Sequence, residues 1–285
     1  MIATMNGNVA ALRAGSHGYE VAEISFSPEY MACHGVPCAN NGEIIEKVIR
    51  GEAVYGVVPF KNSIDGLVMP VLKGVGDTLF TAAPLQVDRQ WDRKIEQYLI
   101  GHDPGINLAG VKYVVTHEKA YGQVLGPLRE LAGNPELMKV GSTSEGVEKV
   151  MALQDPQVIA VASKDAATRF GAHILMLGSP PGNRTSFWRI SHNPEPVPLF
   201  AQCQTMIMLA CRNVPGSLYR ILAPFDRHGI NNDQILSREA PDGSYIFYLG
   251  FSGNQNDPEV ADALQEARQH CNYLHVLGSY PVMRI

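Results

Sequence analysis

The chain has 285 residues, of which 45% are hydrophobic and 18% are charged, and its formal net charge is −5. This length predicts two or three lobes, and the acidic balance disfavours nucleic acid and membrane surfaces as partners. No apolar run approaches the roughly 20 residues of a membrane helix, and the N-terminus shows no secretory signal pattern. Five cysteines in no disulfide-like spacing predict a cytoplasmic location.

Strand and helix patterns alternate along the first 177 residues, which predicts an α/β fold built from βαβ units with largely parallel sheet. The chain should leave lobe A near residue 75 and return to it near 178, with a small-molecule cleft between the lobes. Lobe A then comprises residues 1–75 and 178–190, and lobe B comprises 76–177. The predicted strands are 8–12, 53–59, 79–85, 97–100, 110–116, a strand and turn over 139–144, 158–162 and 173–177. The predicted helices include 42–50, one after residue 119, 145–153 and 163–170.

A proline-rich stretch over 191–203 predicts a linker to a separate domain at 204–285. That domain shows strands at 205–211, 235–237, 245–251 and 273–278, with helices at 216–228 and 257–271. Asp242 and Gly243 predict a hairpin turn. The order βαββαβ is the ferredoxin-like plan.

Polar residues follow the buried strand 53–59, where open α/β sheets place ligands. Lys61 offers a positive charge, and Asn62 and Ser63 offer neutral hydrogen bonds. The alternative is that Asn62 and Ser63 only cap the next segment. Ser16, in a turn before a helix, could likewise present backbone N–H groups to an anion or simply cap that helix.

The loop 178–190 (GSPPGNRTSFWRI) is the second candidate ligand site. Asn183, Arg184, Thr185 and Ser186 place an amide, a cation and two hydroxyls in a row on a loop, where binding and catalysis concentrate. The alternative is an ordinary turn closed by Asn, Thr and Ser side chains. Cys33, His34 and Cys38 lack the second half that a metal site needs, so no metal is expected.

Motifs in both parts of the chain resemble those of one enzyme family. Residues 57–66 (VVPFKNSIDG) are similar to the VVPIENSIEG segment of prephenate dehydratases, and residues 183–187 (NRTSF) match their N-x-T-R-F loop. Thr116, His117 and Gln123 fall in the SHPQALAQ segment, and residues 142–145 (STSE) match STAEA. Residues 213–218, 228–231 and 277–281 (LGSYP) resemble an ACT regulatory domain. The resemblance implies a two-lobed periplasmic-binding-protein-like catalytic domain over 1–190, followed by a ferredoxin-like ACT domain.

The family converts prephenate to phenylpyruvate in phenylalanine biosynthesis, losing carbon dioxide and water without a metal or organic cofactor. The resemblance gives Thr185 the task of assisting the departing ring hydroxyl. It assigns further catalytic roles to Asn62, Ser63, Gln123 and Thr116. The residues expected to bind substrate are Lys61, Arg184, Ser186, Phe187, Ser142, Thr143 and Ser16. Those expected to bind a regulatory amino acid, with L-phenylalanine as the candidate effector, are Pro215, Gly216, Ser217, Leu218, Asn231, Ser237 and Arg238. A homodimer or homotetramer is expected.

The chain departs from the family pattern at several positions. Lys61 replaces a Glu, Ser186 replaces the Arg after the loop Thr, Glu118 replaces a Pro, and Arg13-Ala14 replace Gly-Pro. We therefore hypothesise that Lys61 supplies the cation that Ser186 cannot, with Arg184 as a second candidate; the alternative is that Lys61 points to solvent. Prephenate decarboxylase, arogenate dehydratase and a non-catalytic small-molecule sensor remain open. The presence of Thr185 favours the dehydratase over the decarboxylase.

Overall fold

The computed structural model describes residues 8–12, 16–180, 182–197, 202–240 and 245–285. Its strands are β1 (Val9–Leu12), β2 (Gly35–Cys38), β3 (Tyr55–Asn62), β4 (Gly66–Leu67), β5 (Gln86–Lys94), β6 (Tyr98–Gly101), β7 (Tyr113–Thr116), β8 (Glu136–Lys139), β9 (Val158–Ala162), β10 (His173–Leu177), β11 (Arg184–Ser191), β12 (Cys203–Cys211), β13 (Asn232–Glu239), β14 (Tyr245–Ser252) and β15 (Tyr273–Arg284). Its helices are α1 (His17–Phe26), α2 (Pro28–His34), α3 (Asn41–Ile49), α4 (Met69–Asp77), α5 (Glu118–Ala132), α6 (Thr143–Leu153), α7 (Lys164–Phe170), α8 (Ser217–Arg227) and α9 (Pro258–Arg268). The structure is an α/β fold, as predicted.

The first lobe is built on a sheet that continues into the C-terminal domain. The strand order is β13-β14-β12-β15-β5-β11-β3-β1-β2, with β4 beside β3. Helices α3 and α4 bury Ile44 and Leu72 against one face of the lobe, and α1 and α2 bury Val21 and Met31 against the other. The first strands pair in parallel, but β11 is antiparallel to both β3 and β5. The sheet is therefore mixed rather than largely parallel.

The second lobe is a five-stranded sheet in the order β10-β6-β9-β7-β8. Helices α6 and α7 pack on one face through Val147 and Ala166, and α5 packs on the other through Val124 and Leu128. Small polar side chains start these helices: Ser142 and Ser163 accept hydrogen bonds from backbone N–H groups in the first turns of α6 and α7. The strand ends of this lobe thus turn directly into helices.

The boundary between the lobes differs from the predicted one. Residues 79–85 are not a strand, because Thr78 closes a local turn: its hydroxyl donates to the Val75 carbonyl at 2.6 Å and accepts from the Leu85 N–H at 2.9 Å. The strand is β5, which belongs to the larger sheet. The chain therefore crosses into the smaller sheet after Lys94, about twenty residues later than the sequence suggests.

The C-terminal domain has the predicted βαββαβ order and the ferredoxin-like strand arrangement β13-β14-β12-β15. Helices α8 and α9 cover one face of this sheet, and the first lobe covers the other through Met208 and Tyr248. Strand β15 runs beyond the predicted residue 278, and its last residues pair in parallel with β5, from Val282 opposite Gln90 to Arg284 opposite Asp92. The two domains therefore share one continuous sheet.

Some sequence features lie outside the described residues, namely the Asp242-Gly243 turn, the Arg13-Ala14 departure and linker residues 198–201. Among the residues that the structure describes, no helix is long and apolar enough to cross a membrane.

Candidate active site

The two predicted ligand sites meet on one face of the larger sheet. Thr185 on β11 lies directly opposite Asn62 on β3, and on its other side it lies opposite Arg93 on β5. Residues paired in this way project from the same face of a sheet. Helix α1 packs above them, since a Cβ atom at Gly18 would lie 3.7 Å from the Phe187 ring. The N-terminal end of α1, Thr185, Asn62 and Arg93 therefore line one region.

The Asn62 side chain holds the Thr185 hydroxyl in place. Its Nδ2 lies 2.9 Å from Thr185 Oγ1, 3.0 Å from Asn183 Oδ1 and 3.1 Å from the Arg184 carbonyl. Its Oδ1 accepts hydrogen bonds from the backbone N–H groups of residues 64 and 65. Because an amide nitrogen can only donate, Thr185 Oγ1 is the acceptor in this pair, and the Thr185 proton is available to another acceptor.

A chain of amide hydrogen bonds links this site to the second lobe. Asn183, which is 1% exposed, donates to Gln123 Oε1 at 3.1 Å. Gln123, on α5 of the second lobe, donates in turn to Asp65 Oδ2 at 3.0 Å. Gln123 therefore joins the two lobes beside Thr185, and Asn183 and Asp65 belong to the same network.

A charged cluster lies next to Thr185. Glu20 Oε2, on α1, lies 2.5 Å from Arg93 Nη2 and 3.1 Å from His17 Nδ1. Arg93 Nη1 is buried and has no hydrogen-bond partner among the described residues. The guanidinium therefore has one nitrogen held by Glu20 and one that can receive an anion.

Two carboxyl groups of this cluster face each other from different lobes. The Glu20 carboxyl lies near the carboxyl of Asp165 at the start of α7. Burial alone would raise the pKa of Glu20, but the hydrogen bond and charge of His17 and the charge of Arg93 outweigh burial and lower it. The neighbouring Glu20 carboxyl, together with burial, raises the pKa of Asp165. Asp165 is therefore the carboxyl of this pair that takes up a proton more readily.

Several residues predicted for the site have local structural contacts. Ser63 fastens the loop, since its Oγ donates to the Gly182 carbonyl at 3.2 Å and accepts from the Arg184 N–H at 2.9 Å. Ser16 caps α1 through the Tyr19 N–H, and Ser142 caps α6, which begins at Thr143. Phe187 is 3% exposed and packs in the core beneath α1.

Thr116 does not reach the Thr185 cluster. Its side chain is 0% exposed, and its hydroxyl donates to the Val161 carbonyl of the neighbouring strand at 2.7 Å. The proposed role as a partner of Thr185 is wrong for this residue, because its hydroxyl points into the sheet of the second lobe.

The hypothesis that Lys61 supplies a cation beside Thr185 is also wrong. Lys61 and Ser186 are opposite each other across β3 and β11, but successive strand residues alternate between faces. Both residues therefore lie on the face opposite to Asn62 and Thr185. Ser186 Oγ donates there to Asp92 Oδ1 at 2.6 Å. Lys61 and Ser186 line a cavity of about 1440 Å³, and Thr185 is not part of its lining. Arg184 is exposed, and its Nη1 contacts the Asp92 carbonyl at 3.4 Å.

The cation that sequence reasoning missed is Arg93. Within residues 86–94, alternation places Trp91 and Arg93 on one face and Gln90 and Asp92 on the other. That pattern is visible in the sequence, but the charged residues at 88, 89, 92, 93 and 94 are not typical of a strand, so no strand was predicted there. Only the pairing of β5 with β11 brings Arg93 to Thr185.

The residues predicted for a regulatory ligand are only partly assembled. Gly216, Ser217 and Leu218 line a cavity of about 240 Å³ at the start of α8, and the neighbouring Pro215 carbonyl accepts a hydrogen bond from Arg220. Asn231, Ser237 and Arg238 do not line it. Arg238 instead faces the first lobe, where its Nη2 lies 3.6 Å from Asp77 Oδ1, because β13 alternates between the two faces. Asn231 donates to Asp233, and Ser237 is exposed on the other face.

Within the described ranges, no group of three or more His, Cys, Asp or Glu side chains could hold a metal ion.

A family model for prephenate dehydratase matches residues 13–195. The chain belongs to the prephenate dehydratase family. The prephenate dehydratase of Mycolicibacterium gilvum is 32% identical over 239 residues, which cover 82% of this chain and 75% of that protein.

Two solved structures superpose on nearly the whole length of this chain. The Arthrobacter aurescens prephenate dehydratase, solved in complex with L-Phe, superposes with a TM-score of 0.80 at 26% identity, covering 96% of this chain and 89% of that one. GqqA, described as a novel type of quorum-quenching acylase, superposes with a TM-score of 0.79 at 26% identity, covering 96% and 98%.

Proposed function

We propose that the protein is a prephenate dehydratase whose key group is the Thr185 hydroxyl. The observation that carries the proposal is the 2.9 Å hydrogen bond from Asn62 to Thr185 Oγ1 in a region that also contains Arg93. It supports a role in which the Thr185 proton is aimed at a bound substrate. Family membership supports prephenate as that substrate.

The reaction breaks two bonds of prephenate. The ring hydroxyl leaves as water after it gains one proton, and the ring carboxylate leaves as carbon dioxide. The electron pair of the broken carbon–carbon bond completes the aromatic ring. A threonine hydroxyl is too weak an acid to release a free proton, so Thr185 acts as an oriented donor that passes on a proton from solvent.

Arg93 is the proposed ligand for the side-chain carboxylate of prephenate. Its free Nη1 can donate a charge-assisted hydrogen bond, and the nearby N-terminal end of α1 adds a favourable dipole. Glu20 holds the other half of the guanidinium and fixes its position. The ring carboxylate should lie away from this cation, since a tight ion pair would oppose its loss as carbon dioxide.

The proposal extends to regulation and assembly. Gly216, Ser217 and Leu218 are the candidates for binding an L-phenylalanine effector between paired ACT domains. The exposed apolar side chains Val214 and Tyr219 beside them support pairing into a homodimer or homotetramer. The enzyme would act in the cytoplasm without a cofactor.

The test is turnover of prephenate by the wild type, Thr185→Ala and the matched variant Thr185→Ser. Phenylpyruvate is followed by absorbance and all products by mass spectrometry. We expect about 10²–10⁴-fold loss in Thr185→Ala and partial activity in Thr185→Ser, which keeps the hydroxyl.

Other outcomes would replace the proposal. A decarboxylated product that keeps its hydroxyl would indicate a prephenate decarboxylase. Faster turnover of arogenate would indicate an arogenate dehydratase, and binding without turnover of either compound would indicate a sensor.

A further inference from the structure

A transverse row of four polar side chains crosses the back of the catalytic sheet. Arg284 on β15 lies opposite Asp92 on β5, Asp92 lies opposite Ser186 on β11, and Ser186 lies opposite Lys61 on β3. All four line the cavity of about 1440 Å³ between this sheet and the C-terminal domain. The row includes Lys61 and Ser186, two of the motif positions at which the chain departs from the family pattern.

The two cations of this row are unpaired. Neither the Lys61 nor the Arg284 side chain makes a hydrogen bond or ion pair with another described residue. They stand three strand spacings apart, about 14 Å between Cα atoms, and their long side chains can converge above the two residues between them. Together these two cations can bind a carboxylate.

The row also contains one available carboxylate. Asp92 Oδ1 accepts from Ser186 at 2.6 Å and from Gln90 at 2.8 Å, whereas Oδ2 has no partner among the described residues. The other acidic groups nearby are already engaged. Asp88 pairs with the buried Arg189 at 2.7 Å, and Glu195 pairs with the same guanidinium at 2.8 Å. Asp92 is therefore the acid that remains to receive a cation.

Unsatisfied acceptors and amide groups complete the cavity. Gln90 is 4% exposed, and its Oε1 has no hydrogen-bond partner among the described residues; the same holds for the buried Oε1 of Gln234 on the opposite wall. The wall contributed by the C-terminal domain is rich in amides, including Gln204, Asn254 and Gln255. These groups suit a ligand that carries N–H donors and a polar body.

We propose that this interdomain cavity binds a free amino acid with a polar side chain, its carboxylate on Lys61 and Arg284 and its ammonium group on Asp92. An anion alone would be repelled by Asp92, and a cation alone would leave Lys61 and Arg284 unused. The site is distinct from the small cavity at Gly216. It lies on the face of the sheet opposite to Thr185, whose neighbour in the chain is Ser186.

The experiment measures binding directly, so its result does not depend on catalytic activity. Isothermal titration of the full-length protein uses pools of polar, acidic, basic, aliphatic and aromatic amino acids, followed by single members of any pool that binds. We expect a polar amino acid to bind, and its N-acetyl and amide derivatives to bind about tenfold more weakly or worse.

Variants then locate the bound molecule. Lys61→Met, Arg284→Met and Asp92→Asn should each weaken binding about tenfold or more. Lys73→Met removes an exposed lysine that does not line the cavity and should leave binding unchanged. Thermal unfolding of each variant shows whether it is folded.

Three results would overturn the proposal. The first is that no amino acid pool binds. The second is binding that survives Lys61→Met and Arg284→Met but is lost in Leu218→Ala, which would place the ligand at the small cavity. The third is a change in oligomeric state in Lys61→Met without amino acid binding by the wild type, which would assign the cavity to a second copy of the chain.

Discussion

Replacing Arg93 by methionine tests which cation receives the side-chain carboxylate of prephenate. Methionine keeps much of the apolar stem but removes the charge. Because Arg93 Nη2 already contacts Glu20, only Arg93 Nη1 remains to donate a charge-assisted hydrogen bond to the substrate carboxylate. Such a bond contributes about 1.5–3 kcal/mol, which corresponds to about a 10- to 150-fold loss in kcat/KM. If the bond is equally strong in the ground and transition states, the loss should be expressed mainly in KM.

The assay is the initial rate of phenylpyruvate formation over a range of prephenate concentrations. The matched variant is Lys61→Met, which removes the same charge from the opposite face of the sheet and should change KM less. Arg93→Lys should recover part of the lost affinity, because it restores a charge but not the guanidinium geometry. A KM in Arg93→Met within twofold of the wild type, or an equal increase in Lys61→Met, would refute this assignment.

Three further outcomes are expected. Asn62→Ala should lower kcat about 10²-fold or more by freeing the Thr185 hydroxyl, and the double variant with Thr185→Ala should be no worse than Thr185→Ala alone; additive losses would contradict the shared role. Asp165 gains a negative charge beside Glu20, and the two carboxylates repel each other across the lobes, as the pH rises past the raised pKa of Asp165. Asp165→Asn stays neutral at every pH, so its KM should vary less with pH than that of the wild type; identical profiles would count against this interlobe repulsion. Gly278→Ala should destabilise the protein by about 1–3 kcal/mol in urea unfolding, because the new Cβ would lie 2.0 Å from the Val87 carbonyl oxygen. In the control Gly110→Ala, the new Cβ atom meets nothing within 4 Å. Equal destabilisation in both variants would exclude the steric clash as the cause.

The success of the strand predictions depended on how continuous each apolar run was. Residues 53–59 and 158–162 are mainly apolar runs; β3 begins within the first, at Tyr55, and the second is the fully buried strand β9. Strand β5 was missed because its buried Asp88 reads as a surface residue until its partner Arg189 is known. Residues 79–85 were wrongly predicted as a strand. The apolar content of this segment does not reveal that the Thr78 hydroxyl closes a turn there.

The site was predicted in the same uneven way. Two motifs separated by more than a hundred residues indicated Asn62 and Thr185, and the structure joins them by a hydrogen bond. Ser63 also lies beside this loop, and its contacts hold the loop together. Thr116 was misassigned, because a motif gives a residue's position along the chain but not the direction of its hydroxyl.

The sequence by itself determined the family, the α/β class, the βαββαβ order of the C-terminal domain and the residues around Thr185. These features follow from local periodicity and short motifs. Only the tertiary structure decided that Arg93 stands beside Thr185 while Lys61 and Ser186 lie behind it. The physical reason is that a one-residue step along a strand reverses the face, whereas the neighbouring strand is chosen by packing between distant segments. The sequence therefore contains Arg93, but its role depends on the pairing of β5 with β11.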